Sequence, residues 1–463
     1  MARSESSLPD IGTIGSQALS IDQEKEYGWA FRLMANQSLA IIHDPVINNY
    51  VNSLGQNLVS NADSVKLPFN FFLVQDDEIN AAAFLGGNIK INTGLFLYAK
   101  NESELASVLA HEIAHITQRH LARLLEQKSF NNPAAMATLA GSVLLSLVSP
   151  TAGIAALSTS IAVNVQTQIN YTRSNESEAD RIGMQTLVNA GYDPYGMANF
   201  FSKLAEKYQY ASKKPELLST HPLTATRITE ARLRAGQLPK KKVKPSLNYQ
   251  LSRARITVRF SSISTDAAIF RYQNEIKNNT DQIKDAAQYG LALAYFKNKD
   301  YLKANKLILA LLNQSPDNLF YIDLLSDISI ELHKTKPMIT LLLQHYKKAP
   351  DNAVYAINLA NILYIKKSYE KAENLLALFI RHHPSNIISH KLIINVYSKL
   401  GKKAKEHAAK AEYLALLGRF KKASQEMGNA LAFTTSRLDQ ARYSAQIEVY
   451  KRDDLRLQAL QKR

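Results

Sequence analysis

Two histidines and a glutamate form the pattern H-E-x-x-H in the run His111-Glu112-Ile113-Ala114-His115. Asn101 is a suitable N-terminal cap and apolar residues recur at helical spacing after it, so the sequence predicts one long helix over residues 101–127. Residues four apart share a helix face, so both imidazoles can point at one metal ion while Glu112 polarises a bound water. This arrangement is typical of a zinc peptidase. The alternative is a pair of core histidines beside a solvated glutamate.

A second acidic pair follows at Glu176 and Asp180, which are four residues apart near the start of another predicted helix. A catalytic zinc site needs a third protein ligand and an open position, and Glu176 would supply that ligand. Asp180 would lie one turn behind, where it could orient a ligand histidine or handle protons. Acidic residues also favour helix N-termini because of the helix dipole. Together with the H-E-x-x-H pattern, however, the pair favours the catalytic interpretation.

The residues before the helix with the H-E-x-x-H pattern predict a helical scaffold and a small sheet. The stretch from 69 to 92 predicts short strands, with the Gly86-Gly87 turn between the last two. The last strand would either lie along the metal cleft and pair with an extended peptide, or form an ordinary hairpin edge. The predicted helices cover residues 20–37 and 44–62, and the predicted strands cover residues 69–74, 81–84 and 88–92.

Residues 134–165 are rich in Ala, Leu, Val and Ile and contain no charged side chain. Ser149-Pro150-Thr151-Ala152-Gly153 divides them into two pieces, each shorter than the ~20 residues that a membrane-spanning helix needs. We therefore predict two packed helices over the cleft. They would form either a lid or a surface that makes peripheral contact with lipid or touches an apolar substrate.

The second half of the chain predicts helical repeats. Prolines at 316, 350 and 384 each begin a Pro-Asp-Asn or Pro-Ser-Asn triplet, and they recur every 34 residues, the tetratricopeptide period. Thr335 and Met338 replace the Tyr and Ala of the neighbouring units, so the middle unit is degenerate. The sequence thus predicts an α+β zincin-like metalloprotease domain, mainly helical with a small sheet, followed by an all-α tetratricopeptide-repeat solenoid with a basic concave face. The predicted parts are a tail (1–19), the protease domain (20–236), a linker (237–247) and the repeat domain (248–463).

The charge distribution and the cysteine content limit the binding partners and metal ligands that the chain can have. Residues 1–236 contain 18 Lys and Arg against 21 Asp and Glu, whereas the remainder has 38 against 19. The lysines of the basic half are spread over helix faces without a nucleic-acid recognition motif, so we expect no nucleic-acid partner and an acidic protein surface instead. The chain has no cysteine, which excludes thiolate ligands and is compatible with an oxidising compartment. Residues 1–10 lack the apolar segment of a signal peptide, which indicates either a cytosolic protein or a chain that begins after a removed targeting segment.

The metal motif resembles that of the gluzincin peptidases related to the CAAX prenyl endopeptidase and the mitochondrial Oma-type proteases. The run 101–123, Glu178-Ala179-Asp180-Arg181-Ile182-Gly183 and Thr220-His221-Pro222-Leu223 are similar to Gram-negative proteases of this class that support outer-membrane barrel assembly. The resemblance implies His111, His115 and Glu176 as ligands of one Zn²⁺ per chain, Glu112 as base and Asp180 as proton donor. It also implies a periplasmic protein that degrades stalled barrel precursors and contacts the barrel-assembly machinery through its repeats.

Three interpretations remain open for His221, which lies in a Pro-flanked loop. A fourth protein ligand would close a catalytic zinc site, so His221 could displace the water until substrate moves the loop. It could instead stabilise the oxyanion, for which Arg227 is another candidate, or be a structural loop residue. A non-proteolytic assembly scaffold or chaperone with a closed or structural zinc site is the alternative function for the whole chain, and nucleic-acid binding by the basic half is a weaker one.

Overall fold

The computed structural model describes residues 19–128, 173–212, 214–238 and 245–462. The predicted helices over 134–165 lie outside these residues. Within the described ranges, no helix is both long enough and apolar enough to cross a membrane.

The N-terminal part consists of helices around one small sheet. Asp44 caps the second helix by accepting hydrogen bonds from the backbone of Val46 and Ile47, with Pro45 in the first turn. The elements of this part are α1 (Ile21–Ser38), α2 (Pro45–Val59), β1 (Asn70–Val74), β2 (Ala81–Phe84), β3 (Asn88–Asn92), α3 (Thr93–Tyr98), α4 (Glu102–Thr117), α5 (His120–Lys128), α6 (Arg173–Asn189), α7 (Tyr195–Tyr208), α8 (Glu216–Thr220) and α9 (Ala225–Gln237).

The sheet has the strand order β1-β3-β2, which corrects the expectation for its last strand. β3 runs parallel to β1 and antiparallel to β2, and all five of its residues are buried. Because both of its edges are paired, β3 is neither a hairpin edge nor available to an added peptide. β1 and β2 are the two edge strands of this sheet. Residues 40–42 hydrogen-bond to part of the β1 edge, whereas among the described strands β2 pairs with β3 alone, and β2 packs against α4.

The predicted long helix over 101–127 is wrong, because the structure has two helices there. α4 ends at Thr117, Arg119 has a φ of +53°, and α5 begins at His120. The Arg119 guanidinium donates to Glu24 on α1, with Nε 2.7 Å from Oε1, and to the carbonyl oxygen of Leu19. This buried ion pair holds Arg119 in a backbone conformation that residues with a side chain rarely adopt.

The C-terminal part confirms the predicted repeat. Helices α13, α15, α17 and α19 begin at 301, 335, 369 and 403, each 34 residues after the one before. The degenerate unit folds like its neighbours, since Met338 is as buried as Ala304 and Ala372 at the equivalent positions. The helices are α10 (Leu247–Phe260), α11 (Thr265–Asn278), α12 (Asp281–Lys297), α13 (Tyr301–Gln314), α14 (Leu319–Glu331), α15 (Thr335–Lys348), α16 (Ala353–Ile365), α17 (Tyr369–His382), α18 (Ile387–Lys399), α19 (Lys403–Leu416), α20 (Phe420–Phe433) and α21 (Arg437–Lys462).

One apolar core continues across the predicted linker. Tyr249 on α10 stacks on Phe96 of α3 with ring centroids 6.0 Å apart, and its hydroxyl donates to the Ala99 carbonyl oxygen. At the other end of the repeats, Phe420 on α20 stacks on Trp29 of α1. The N-terminal part therefore packs against both the first and the last helices of the solenoid, and its division from the repeats at 237–247 stays a prediction.

Candidate active site

The close approach of α4 and α6 brings the two predicted motifs together. A Cβ on Gly183 would lie 3.0 Å from the backbone nitrogen of His111, which is tighter than most such contacts, so glycine here allows the close approach of the two helices without strain. As a result, Glu176 faces the two histidines of α4, and all three side chains are buried.

The ligand atoms of four residues converge within 4.8 Å of one another: His111, His115, Glu176 and His221. His111 Nε2 lies 2.9 Å from His115 Nε2 and 3.5 Å from Glu176 Oε2, and His115 Nε2 lies 3.5 Å from Glu176 Oε1. His221 Nδ1 lies 3.3 Å from His111 Nε2 and 2.9 Å from Glu176 Oε1. A tetrahedron with metal–ligand bonds of 2.0–2.1 Å has edges of about 3.3 Å, so these separations fit one small cation.

Asp180 lies behind His111 rather than in the open cleft. Its Oδ1 is 2.9 Å from His111 Nδ1, and both of its oxygens accept hydrogen bonds from Arg227 at 2.7 and 2.8 Å. Although burial raises the pKa of Asp180, Arg227 and His111 outweigh it and hold that pKa below its usual range. Asp180 is therefore ionised and positioned to orient the imidazole of His111.

Each guanidinium nitrogen of Arg227 lies within hydrogen-bond distance of an acceptor oxygen. Nε and one terminal nitrogen bind Asp180, and the other terminal nitrogen lies 2.7 Å from Glu176 Oε2 and donates to the Pro222 carbonyl oxygen. Arg227 thus links α9 to Glu176 and Asp180 of α6, and each of its guanidinium nitrogens already has a protein acceptor.

The protein groups give the site an excess of negative charge. Burial lowers the pKa of His111, but the carboxylates of Asp180 and Glu176 raise it to about 10. Burial also raises the pKa of Glu176, yet His221 and His111 hold it well below its usual range. The cluster consequently attracts a cation, either a proton or a metal ion.

Glu112 is fully buried beside the cluster, and its burial raises the pKa of its carboxyl. Its Oε1 is 3.5 Å from His221 Nε2. A cavity of about 20 Å³ borders Glu112, His111 and His221. Such a volume holds a single water but no peptide. Leu217 and Leu218 of α8 line this cavity together with His221.

Comparisons with known proteins agree with this chemistry. The sequence model of peptidase family M48 matches residues 45–235. A beta-barrel assembly-enhancing protease of Escherichia coli is 39% identical over 96% of this chain and 92% of its own length. The chain belongs to the beta-barrel assembly-enhancing proteases of peptidase family M48. It is a metalloendopeptidase.

A second relative and a solved structure extend the comparison. A relative from Vibrio cholerae is 44% identical over 95% of this chain and 91% of its own length. A crystal structure of a tetratricopeptide repeat protein from Parabacteroides merdae is 14% identical, covers 56% of this chain and 98% of its own, and has a TM-score of 0.30.

Sequence reasoning missed two residues of this metalloendopeptidase that lie beside the cluster. His120 Nδ1 is 2.8 Å from His115 Nδ1, and His120 Nε2 is 3.0 Å from Glu178 Oε2. A continuous helix would have turned His120 away from His115, so the predicted helix itself concealed the contact. The available signal was a third histidine only five residues after His115.

Proposed function

We propose that this metalloendopeptidase uses one Zn²⁺ per chain, bound by His111, His115 and Glu176. The convergence of their ligand atoms at tetrahedral spacing is the observation that carries the proposal. Imidazole and carboxylate groups are regular zinc ligands, and three of them leave one position for water or substrate. The histidine-rich donor set favours zinc over magnesium or calcium, which prefer oxygen ligands.

In this mechanism Glu112 is the base and Asp180 is a positioning residue. When bound, Zn²⁺ supplies a Lewis acid that lowers the pKa of water and polarises the scissile carbonyl group. Glu112 removes a proton from the attacking water and transfers it to the leaving amine, which suits a buried carboxyl with a raised pKa. Of the two roles considered for Asp180, orienting His111 fits its contacts better than donating a proton, because it is held as an anion by Arg227.

His221 fits the role of a displaceable fourth ligand. It is the C-cap residue of α8, a helix of only five residues, and its Nδ1 lies 3.3 Å from His111 Nε2 and 2.9 Å from Glu176 Oε1. A fourth protein ligand occupies the coordination position that water needs. Movement of α8 would open this position and enlarge the adjacent cavity, so substrate entry and activation would coincide.

We assign stalled or misassembled outer-membrane barrel precursors as substrates, and the periplasm as the compartment. The support is the name of the Escherichia coli relative, which is similar over nearly the whole chain. The repeat helices would dock the barrel-assembly machinery, because solenoids of this type present extended concave surfaces to proteins. The outer edge of β2 beside α4, rather than β3, is where an extended substrate segment would add as a strand.

A non-proteolytic scaffold function is the second candidate for this metalloendopeptidase, because four protein ligands would make a closed site of the structural type as long as His221 stays in place. Glu112→Gln separates the two functions. It leaves every proposed ligand in place and removes the base, so we expect normal zinc content and loss of cleavage of an unfolded barrel protein. A variant with normal zinc content and undiminished cleavage would contradict the mechanism, and a wild-type protein that binds zinc without cleaving any unfolded substrate would favour the scaffold.

A further inference from the structure

The imidazole of His115 contacts protein groups through both of its ring nitrogens. His115 Nε2 faces the ligand cluster, 2.9 Å from His111 Nε2. His115 Nδ1 faces the opposite way and lies 2.8 Å from His120 Nδ1. His120 is completely buried and continues the chain of contacts through its Nε2, which is 3.0 Å from Glu178 Oε2.

One arrangement of ring hydrogens satisfies this chain when His115 binds a metal. The metal takes the lone pair of His115 Nε2, so the hydrogen of that ring is on Nδ1. His115 Nδ1–H then donates to His120 Nδ1, and His120 Nε2–H donates to the Glu178 carboxylate. Arg123 also donates to Glu178 Oε2, at 3.3 Å, which fixes the far end of the chain.

The backbone changes direction at Arg119, and this change allows His120 to contact His115. In a continuous helix His120 would lie about 140° around the axis from His115, since each residue turns the helix by 100°. The positive φ of Arg119 ends α4 and turns His120 back toward His115. Buried contacts of Arg119 with Glu24 hold this rare conformation, and such outliers cluster at functional sites.

We propose that His120 is a positioning residue that fixes the tautomer and ring orientation of His115 and thereby strengthens metal binding. His111 has an equivalent partner in Asp180, so each helix ligand has its own hydrogen-bond acceptor behind it. His120 differs because it passes the interaction through a neutral ring to a carboxylate. The proposal rests on the zinc site proposed above.

Two substitutions separate the hydrogen bond from the packing of the ring. His120→Phe keeps a planar ring and removes the acceptor, whereas His120→Asn carries an acceptor oxygen bonded to Cγ, as Nδ1 is in histidine. The measurement is the zinc dissociation constant of the purified full-length protein, obtained by competition with a chelator. We expect His120→Phe to weaken zinc binding by about 10–100-fold, as the loss of such partners does elsewhere, and His120→Asn to restore most of the affinity.

His345→Phe is the matched control, because His345 is also buried but stacks on Tyr355 in the repeats, and its zinc affinity should equal that of wild type. Unchanged affinity in His120→Phe would overturn the proposal. Equal weakening in His120→Phe and His120→Asn, with both zinc-free proteins unfolding at a lower temperature, would also overturn it in favour of a packing role. If the wild type itself binds no zinc, the proposed zinc site fails instead, which distinguishes the two failures.

Discussion

Arg255→Met should destabilise the protein strongly, because Arg255 is the buried centre of a polar network between its two parts. Its side chain is 1% exposed. Nε lies 2.8 Å from Asp44 Oδ2 at the start of α2, one terminal nitrogen lies 2.6 Å from Asp323 Oδ2 on α14, and the other donates to the Tyr289 hydroxyl on α12. The guanidinium thus joins the N-terminal part to two helices of the solenoid.

The size of the effect follows from what the substitution leaves behind. Without Arg255, the buried carboxylates of Asp44 and Asp323 lose their main positive partner, and removing one member of a buried ion pair costs about 3–5 kcal/mol. Arg259→Met makes the same chemical change one helical turn later, where the Arg259–Asp327 pair is 27% and 29% exposed. Solvent screens that pair, and its loss costs about 0–1 kcal/mol. Arg259 also lies near Asp44, but at 3.9 Å compared with 2.8 Å for Arg255, so the control should remain much milder than Arg255→Met.

The pH of the experiment is set by Asp323. Burial raises the pKa of Asp323, but Arg255 and Arg259 outweigh it and hold that pKa below its usual range. An acid with a lowered folded-state pKa contributes stability that is fully present above its unfolded pKa, about 3.9 for Asp, and is lost as the pH falls through the folded value. Measurements at neutral pH therefore contain the whole contribution.

The assay is equilibrium unfolding in denaturant, followed by far-UV circular dichroism and by the fluorescence of Trp29. Trp29 is the one tryptophan of the chain and stacks on Phe420 at the junction of α1 and α20. Adding Asp323→Asn to Arg255→Met removes one stranded charge, so the double variant should be less unstable than the sum of the single effects. A loss in Arg255→Met no larger than in Arg259→Met would refute the reasoning.

The remaining predictions concern the metal site. His221→Ala should raise basal and self-directed cleavage because the proposed plug is lost; loss of activity with zinc retained would favour an oxyanion role, and unchanged activity a structural one. Gly183→Ala should slow cleavage, since its Cβ would lie 3.0 Å from the His111 nitrogen and push α6 away by a few tenths of an ångström. The slowing should be smaller than the roughly 100-fold that a 1 Å misplacement can bring. Chelation should abolish cleavage. It should also lower the unfolding temperature, since a ligand present at 100 times its dissociation constant stabilises the folded state by about 2.7 kcal/mol. An unfolding temperature that stays the same after all zinc is removed would contradict the prediction that zinc binds the folded protein and not the unfolded chain.

The fold class and the main candidate residues could be predicted because their signals are local. Four-residue spacing places His111 beside His115 on any helix, whatever surrounds that helix. A 34-residue repeat likewise predicts stacked helix pairs even in the unit with Thr335 and Met338, because each pair buries its apolar face against the next. The three strands were predicted nearly to the residue, since short strand-forming runs and glycine turns are signals that act over a few positions.

Only the tertiary structure shows the features that depend on contacts between residues far apart in the sequence. The apolar pattern continues through Arg119, yet the buried contact with Glu24, 95 residues earlier, ends α4 there and turns His120 onto His115. Alternation along residues 88–92 cannot show that β3 pairs on both sides, because strand order is set by which edges the rest of the chain covers. Local periodicity determines which residues share a face of a helix or strand. Which other element packs against that face depends on burial and charge pairing across the whole molecule.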